Sequence, residues 1–123
     1  MQQKFRAWDK ETQTMNGMAE IYRNKKQEIE LHPRDEHIIL MQSTGLFDKN
    51  GQEIFEGDVI LWSYWDEFED SGRAKIIFDK GMFKLLDIRT GKEVWDNLFD
   101  CLENCDVYFQ GNIYENPELL EGI

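Results

Sequence analysis

Residues 38 to 60, IILMQSTGLFDKNGQEIFEGDVI, constrain the fold more than any other part of the chain. Apolar runs alternate there with Gly45, Gly51 and Gly57, and residues without a Cβ take the positive φ that sharp reversals need. Asn50-Gly51 is the strongest local turn signal. A two-residue loop with both residues at positive φ matches the right-handed twist of paired strands, so the pair predicts a hairpin. Ile38 to Gln42 is apolar enough to be a central strand buried on both faces. In the Glu56-Gly57-Asp58 corner, Asp58 is expected to act as a turn-stabilising acceptor rather than a catalytic carboxylate, because no base, nucleophile or ligand set accompanies it.

The remaining segments extend this pattern. Phe5 and Ala7 alternate with Lys4, Arg6 and Trp8, which predicts an opening strand, a turn over Asp9 to Gln13 and a return over Thr14 to Met18. Ala19 to Leu31 reads as a second hairpin, with Arg23, Lys25 and Lys26 at its tip. His32 to Glu36 reads as a polar connection around Pro33. Val59 to Tyr64 and Arg73 to Phe78 form a long hairpin, and Met82 to Ile88 pairs across Asp79-Lys80-Gly81. Glu93 to Leu102 shifts to a three-and-four spacing that predicts a short helix, with Cys101 and Cys105 on one face. After a last strand from Asp106, Asn116-Pro117-Glu118 has the order of a helix N-cap, a first-turn proline and a first-turn acid. Leu119 and Leu120 are expected to dock that turn.

Three blocks, KFRAWDKETQTM, LMQSTGLFDKNGQEIFEGDVI and GNIYENPELLE, stand in an order that resembles the YopX family of bacteriophage and prophage proteins. Residues 17 to 37 and 61 to 105 match it by position only. The resemblance implies a mainly β chain built as an SH3-like small barrel, encoded by a phage or prophage. It brings no established activity and no catalytic residue. Together with the segments above, the expectation is one domain over residues 1 to 123, with extra hairpins and one or two short helices near the C-terminus.

The chain is 41% hydrophobic and carries four Trp, eight Phe and four Tyr, too apolar a composition for a disordered chain. Its net charge of −11 argues against direct binding to a phosphate backbone, because that affinity comes mainly from Lys and Arg displacing counterions. Cys101 and Cys105 lack the partners of a zinc site and are expected to be free thiols. His32 and His37, near Asp35 and Glu36, do not make a metal site, and no cofactor is expected. The opening MQQKFRAWDKE has no apolar signal core and no apolar run approaches about 20 residues, so a cytoplasmic location is expected.

No nucleophile elbow, phosphate loop or metal motif is visible, so the chain is read as non-catalytic. The expected activity is binding to another protein or to copies of itself. The candidate contact surface is Tyr64, Trp65, Asp66, Glu67, Phe68, Glu69 and Asp70, three aromatics interleaved with four acids at a hairpin tip. The competing view is that these aromatics fold back onto the barrel. Two alternatives remain. One is nucleic-acid association through Arg23, Lys25, Lys26 and Arg34, and the other is an acidic DNA mimic that inhibits a host protein.

Overall fold

The computed structural model describes residues 4–20, 37–64 and 71–121, residues 16–20 by their main chain. The described residues are mainly β, with nine strands, one α-helix and one 3-10 turn. The chain divides into two compact units, Met1–Ser43 and Thr44–Ile123.

In the first unit, β1 (Lys4–Asp9) lies between β2 (Thr14–Glu20) and the start of β3 (Ile38–Phe47), antiparallel to both. The register sets Asp9 opposite Thr14 on one side and opposite Ile38 on the other. Asp9 closes the β1–β2 turn as expected, because its Oδ1 accepts the Glu11 N–H at 2.9 Å and the Thr12 N–H at 3.2 Å. Ala7 and Trp8 are both buried, although successive strand residues point to opposite faces. The simple alternation expected of β1 therefore breaks down at its inner end. Residues 38–42 of β3 pair with β1, but only Met41 among them is fully buried and its neighbours are half-buried. Burial on both faces is corrected accordingly. The hairpin expected over Ala19 to Leu31 and the connection from His32 to Glu36 fall outside the described residues beyond residue 20.

The second unit holds the end of β3 beside β4 (Glu53–Phe55). It also holds a five-stranded sheet in the order β8-β7-β6-β5-β9. These strands are β5 (Asp58–Ser63), β6 (Ser71–Asp79), β7 (Met82–Asp87), β8 (Glu93–Val94) and β9 (Asp106–Asn112). Ile60 pairs with Ala74 and Ile76 with Leu85, so the inward residues of three strands fall in one buried layer. Ile54, Leu98, Cys101, Cys105 and Val107 complete that core. Each fully buried Ile or Leu contributes on the order of 1.5–3 kcal/mol.

The turns show which local signals decided the structure. Lys80 and Gly81, at φ 52 and 78, form the two-residue loop with both central residues at positive φ, closed by the Asp79–Met82 pair. Asn50-Gly51 does not form such a loop. Gly51 has φ 85 but Asn50 is not in the positive region, and the connection runs from Asp48 to Gln52. The Asp48 side chain overrides the two-residue preference, since its Oδ1 accepts from Asn50 N at 2.9 Å and from Gln52 N at 2.8 Å.

The helix also differs from expectation. α1 spans Leu98–Asn104, not Glu93 to Leu102. Glu93 and Val94 instead pair with Leu86 and Leu85 of β7, and Trp95 leaves the strand at φ 62. Asn97 then caps the helix by accepting the Asp100 N–H at 2.8 Å. The expected thiol arrangement holds. Cys101 and Cys105 are free and buried with their sulfurs 3.2 Å apart, and the Cys105 thiol donates to the Cys101 carbonyl at 3.0 Å.

At the C-terminus, Pro117–Leu120 is a single 3-10 turn, but Asn116 does not cap it through its side chain. Its Oδ1 accepts the Asn112 N–H at 3.2 Å, and Asn112 in turn accepts from Tyr114 N and Glu115 N. Leu119 packs close to Gly111, whereas Leu120 is 40% exposed, so only one of the two expected leucines docks. No helix among the described residues is long and apolar enough to cross a membrane.

Candidate functional site: a cleft lined by the end of β3, α1 and β9

The second unit carries a cleft of about 440 Å³ lined by residues 45–49 and by residues of α1 and the start of β9. Its walls follow from local periodicity. Along the end of β3, Leu46 is half-buried while Phe47 is 51% exposed, as strand alternation requires. On α1, Leu98 and Cys101 face the core, which turns their neighbour Phe99 outward to 60% exposure. Leu102 and the buried Cys105 and Val107 supply the rest of its apolar lining, beside the charged Asp48, Lys49, Glu103 and Asp106.

The β3–β4 connection is tied to β9 by three polar contacts. Asp48 Oδ2 accepts the Phe109 N–H at 2.9 Å, the Lys49 N–H donates to the Val107 carbonyl at 2.9 Å, and Lys49 Nζ meets Asp106 Oδ2 at 2.8 Å. The hydrogen bond to Asp106 raises the Lys49 pKa. These contacts hold Asp48 and Lys49, next to Phe47, against β9. Burial pushes up the pKa of both thiols, Cys101 the more strongly, so the Cys105 sulfur in the lining stays protonated. A protonated, buried thiol is a poor nucleophile.

Of the contact surface expected from the sequence, only Tyr64 is described; Trp65, Asp66, Glu67, Phe68, Glu69 and Asp70 lie outside the described residues. Tyr64 is 41% exposed and packs against Trp62 and Trp95, with ring centroids 6.0 and 5.7 Å apart. Trp62 and Trp95 meet edge to face at 5.6 Å, and Gly72 gives the Trp62 indole room to lie against β6. Tyr64 thus folds back onto neighbouring aromatics. The basic set Arg23, Lys25, Lys26 and Arg34 also lies outside the described residues. Asp58 is completely buried and accepts the Phe55 N–H at 2.7 Å, which is the turn role expected of it.

Sequence reasoning missed the cleft. Phe47 and Phe99 are 52 positions apart; Phe47 lies in the 38–60 block, which was read for its turns and strands, and Phe99 stands in no motif. The available signal was Phe99 beside Leu98, one step off the buried helical stripe, a place where an aromatic residue has no packing role in its own element.

The relatives fit this architecture. A protein from Enterococcus faecalis, EF1440, has a crystal structure that superposes with a TM-score of 0.61 at 27% identity, covering 97% of this chain and 98% of that one. The X-ray structure of protein yopX from Bacillus subtilis superposes with a TM-score of 0.64 at 19% identity, covering 100% of this chain and 99% of that one. The second likeness is one of fold alone. No curated protein sequence matches the chain. The profile of the YopX protein family matches residues 4–121, nearly the whole length, and the chain belongs to that family.

Proposed function

We propose that this protein is a non-catalytic phage- or prophage-encoded binding module of the host cytoplasm, built on an SH3-like barrel. Its cleft between Phe47 and Phe99 receives an apolar segment of another protein. The observation that carries this reading is the pair of phenylalanines, 51% and 60% exposed, that line one cleft together with the buried Cys105 and Val107. Large aromatic side chains left in water at a preformed groove supply interface energy at little ordering cost. Lys49 and Asp106 at the cleft neutralise each other, which leaves Asp48 and Glu103 to make the lining net negative, so the segment it receives carries positive charge beside its apolar anchor. The protonated thiol of Cys105 supports a binding role over a nucleophilic one.

Affinity capture from phage-bearing host cells, with the tagged wild-type chain beside a Phe47→Ser/Phe99→Ser variant, tests the proposal. The expected result is one protein recovered in stoichiometric amount by the wild type and at least tenfold less by the variant, both baits having the same circular dichroism. Equal recovery by both baits would remove the cleft from the account. Recovery of copies of the chain itself, with nothing else bound, would replace a foreign partner with self-assembly.

A further inference from the structure

The β1–β2 turn and the start of β3 bring together three titratable side chains, Asp9, Glu11 and His37. His37 Nε2 lies 3.5 Å from Glu11 Oε2 and 4.0 Å from Asp9 Oδ1, and one ligand atom from each of the three falls within 4.8 Å of the other two. We propose that Asp9, Glu11 and His37 form a binding site for one divalent transition-metal ion of the zinc, cobalt or nickel type.

The donor set and its geometry point to that class. Imidazole together with carboxylates suits borderline transition ions, whereas magnesium and calcium prefer oxygen alone. Two ligand atoms each about 2.0–2.1 Å from a tetrahedral ion stand roughly 3.4 Å apart. The His37–Glu11 separation already has that value, and the Asp9 separation exceeds it by about half an ångström, within reach of a side-chain rotation.

The main chain holds the three donors together independently of any ion. Asp9 pairs with Ile38 across β1 and β3, so His37 directly precedes a registered position, and the Lys10 N–H donates to the His37 carbonyl at 2.8 Å. The Glu11 and Thr12 N–H groups orient the Asp9 carboxylate. Glu11 is largely exposed and His37 one-third exposed, so an ion reaches the site from solvent and water completes its coordination. An ion pair between His37 and the two acids would use the same atoms, and titration with metal separates the two cases.

The test is isothermal titration of the untagged full chain with zinc chloride, repeated for His37→Gln and Glu11→Gln. Both substitutions leave the main-chain hydrogen bonds of the turn intact, and circular dichroism confirms the fold of each. The proposal expects one zinc ion per wild-type chain and at least tenfold weaker binding in each variant. It is overturned if the wild type takes up no zinc at millimolar concentration, or if either folded variant binds as tightly as the wild type.

Discussion

Asp48→Ala is expected to lower the unfolding free energy by about 3 kcal/mol, because one carboxylate serves three main-chain donors and hydrogen bonds to charged groups contribute roughly 1.5–3 kcal/mol each before non-additivity. Its Oδ1 closes the β3–β4 connection through Asn50 and Gln52, and its Oδ2 reaches Phe109 on β9, 61 positions away. With only 8% of its surface exposed, little water is available to replace those bonds. Asp48→Asn keeps one acceptor oxygen and should recover part of the loss. Urea denaturation of the three proteins measures the series, and a loss below about 1 kcal/mol for the alanine variant would show that the connection is held by its backbone alone. Because Asp48 also lines the cleft, the alanine variant should capture less partner than its residual fold predicts.

Asp58→Ala should cost a similar amount, about 2–4 kcal/mol, through a different mechanism. Asp58 has no exposed surface, and its Oδ2 accepts the N–H of Phe55, itself 6% exposed, at 2.7 Å. Removing the carboxylate strands that donor in the core and opens a cavity beside it. The corner it closes also joins three parts of the second unit. Gly57, at φ 88, donates its N–H to the Ile76 carbonyl and accepts from Ile113 N, each at 2.9 Å. Asp58→Asn, with one acceptor oxygen retained, should lose less than Asp58→Ala. Equal losses for the two variants in urea denaturation would assign the effect to charge rather than to the missing acceptor.

These two acids show where the sequence was legible. Asp58 sits in a Gly-Asp step between apolar runs, a local pattern whose only economical meaning is a turn acceptor, and the structure gives it that role. Asp48 stands in an equally local place, but its Phe109 contact is distant in sequence and carries no mark in either segment. The same divide explains the turns. Asn50-Gly51 has the stronger dipeptide preference, yet the two-residue loop forms at Lys80-Gly81. There the register of β6 and β7 leaves two residues to close the hairpin, whereas Asp48 offers the other loop a wider closure. The helix was found by its three-and-four spacing and misplaced by five residues at its start. Glu93 and Val94 were claimed by β7, and no residue in their own segment announces that pairing.

The cleft was the least legible feature because neither half has a pattern of its own. Phe47 ends a strand whose alternation turns it outward, and Phe99 falls just off a buried helical stripe; only the fold brings them to one groove. The interleaving of aromatics and acids over residues 64–70 marked Tyr64 as a candidate contact residue. It could not reveal that Trp62 and Trp95 would take up much of that ring.

The most direct test of the cleft as the working surface is a photo-crosslinking amino acid placed at position 99, and separately at position 78, in the chain produced in its native host cell. Phe78 is 46% exposed, comparable in kind to Phe99, but lies outside the cleft lining. The account predicts a single discrete adduct with another protein from position 99 and none from position 78. An adduct from position 78 alone, equal adducts from both, or no adduct at position 99 would contradict it.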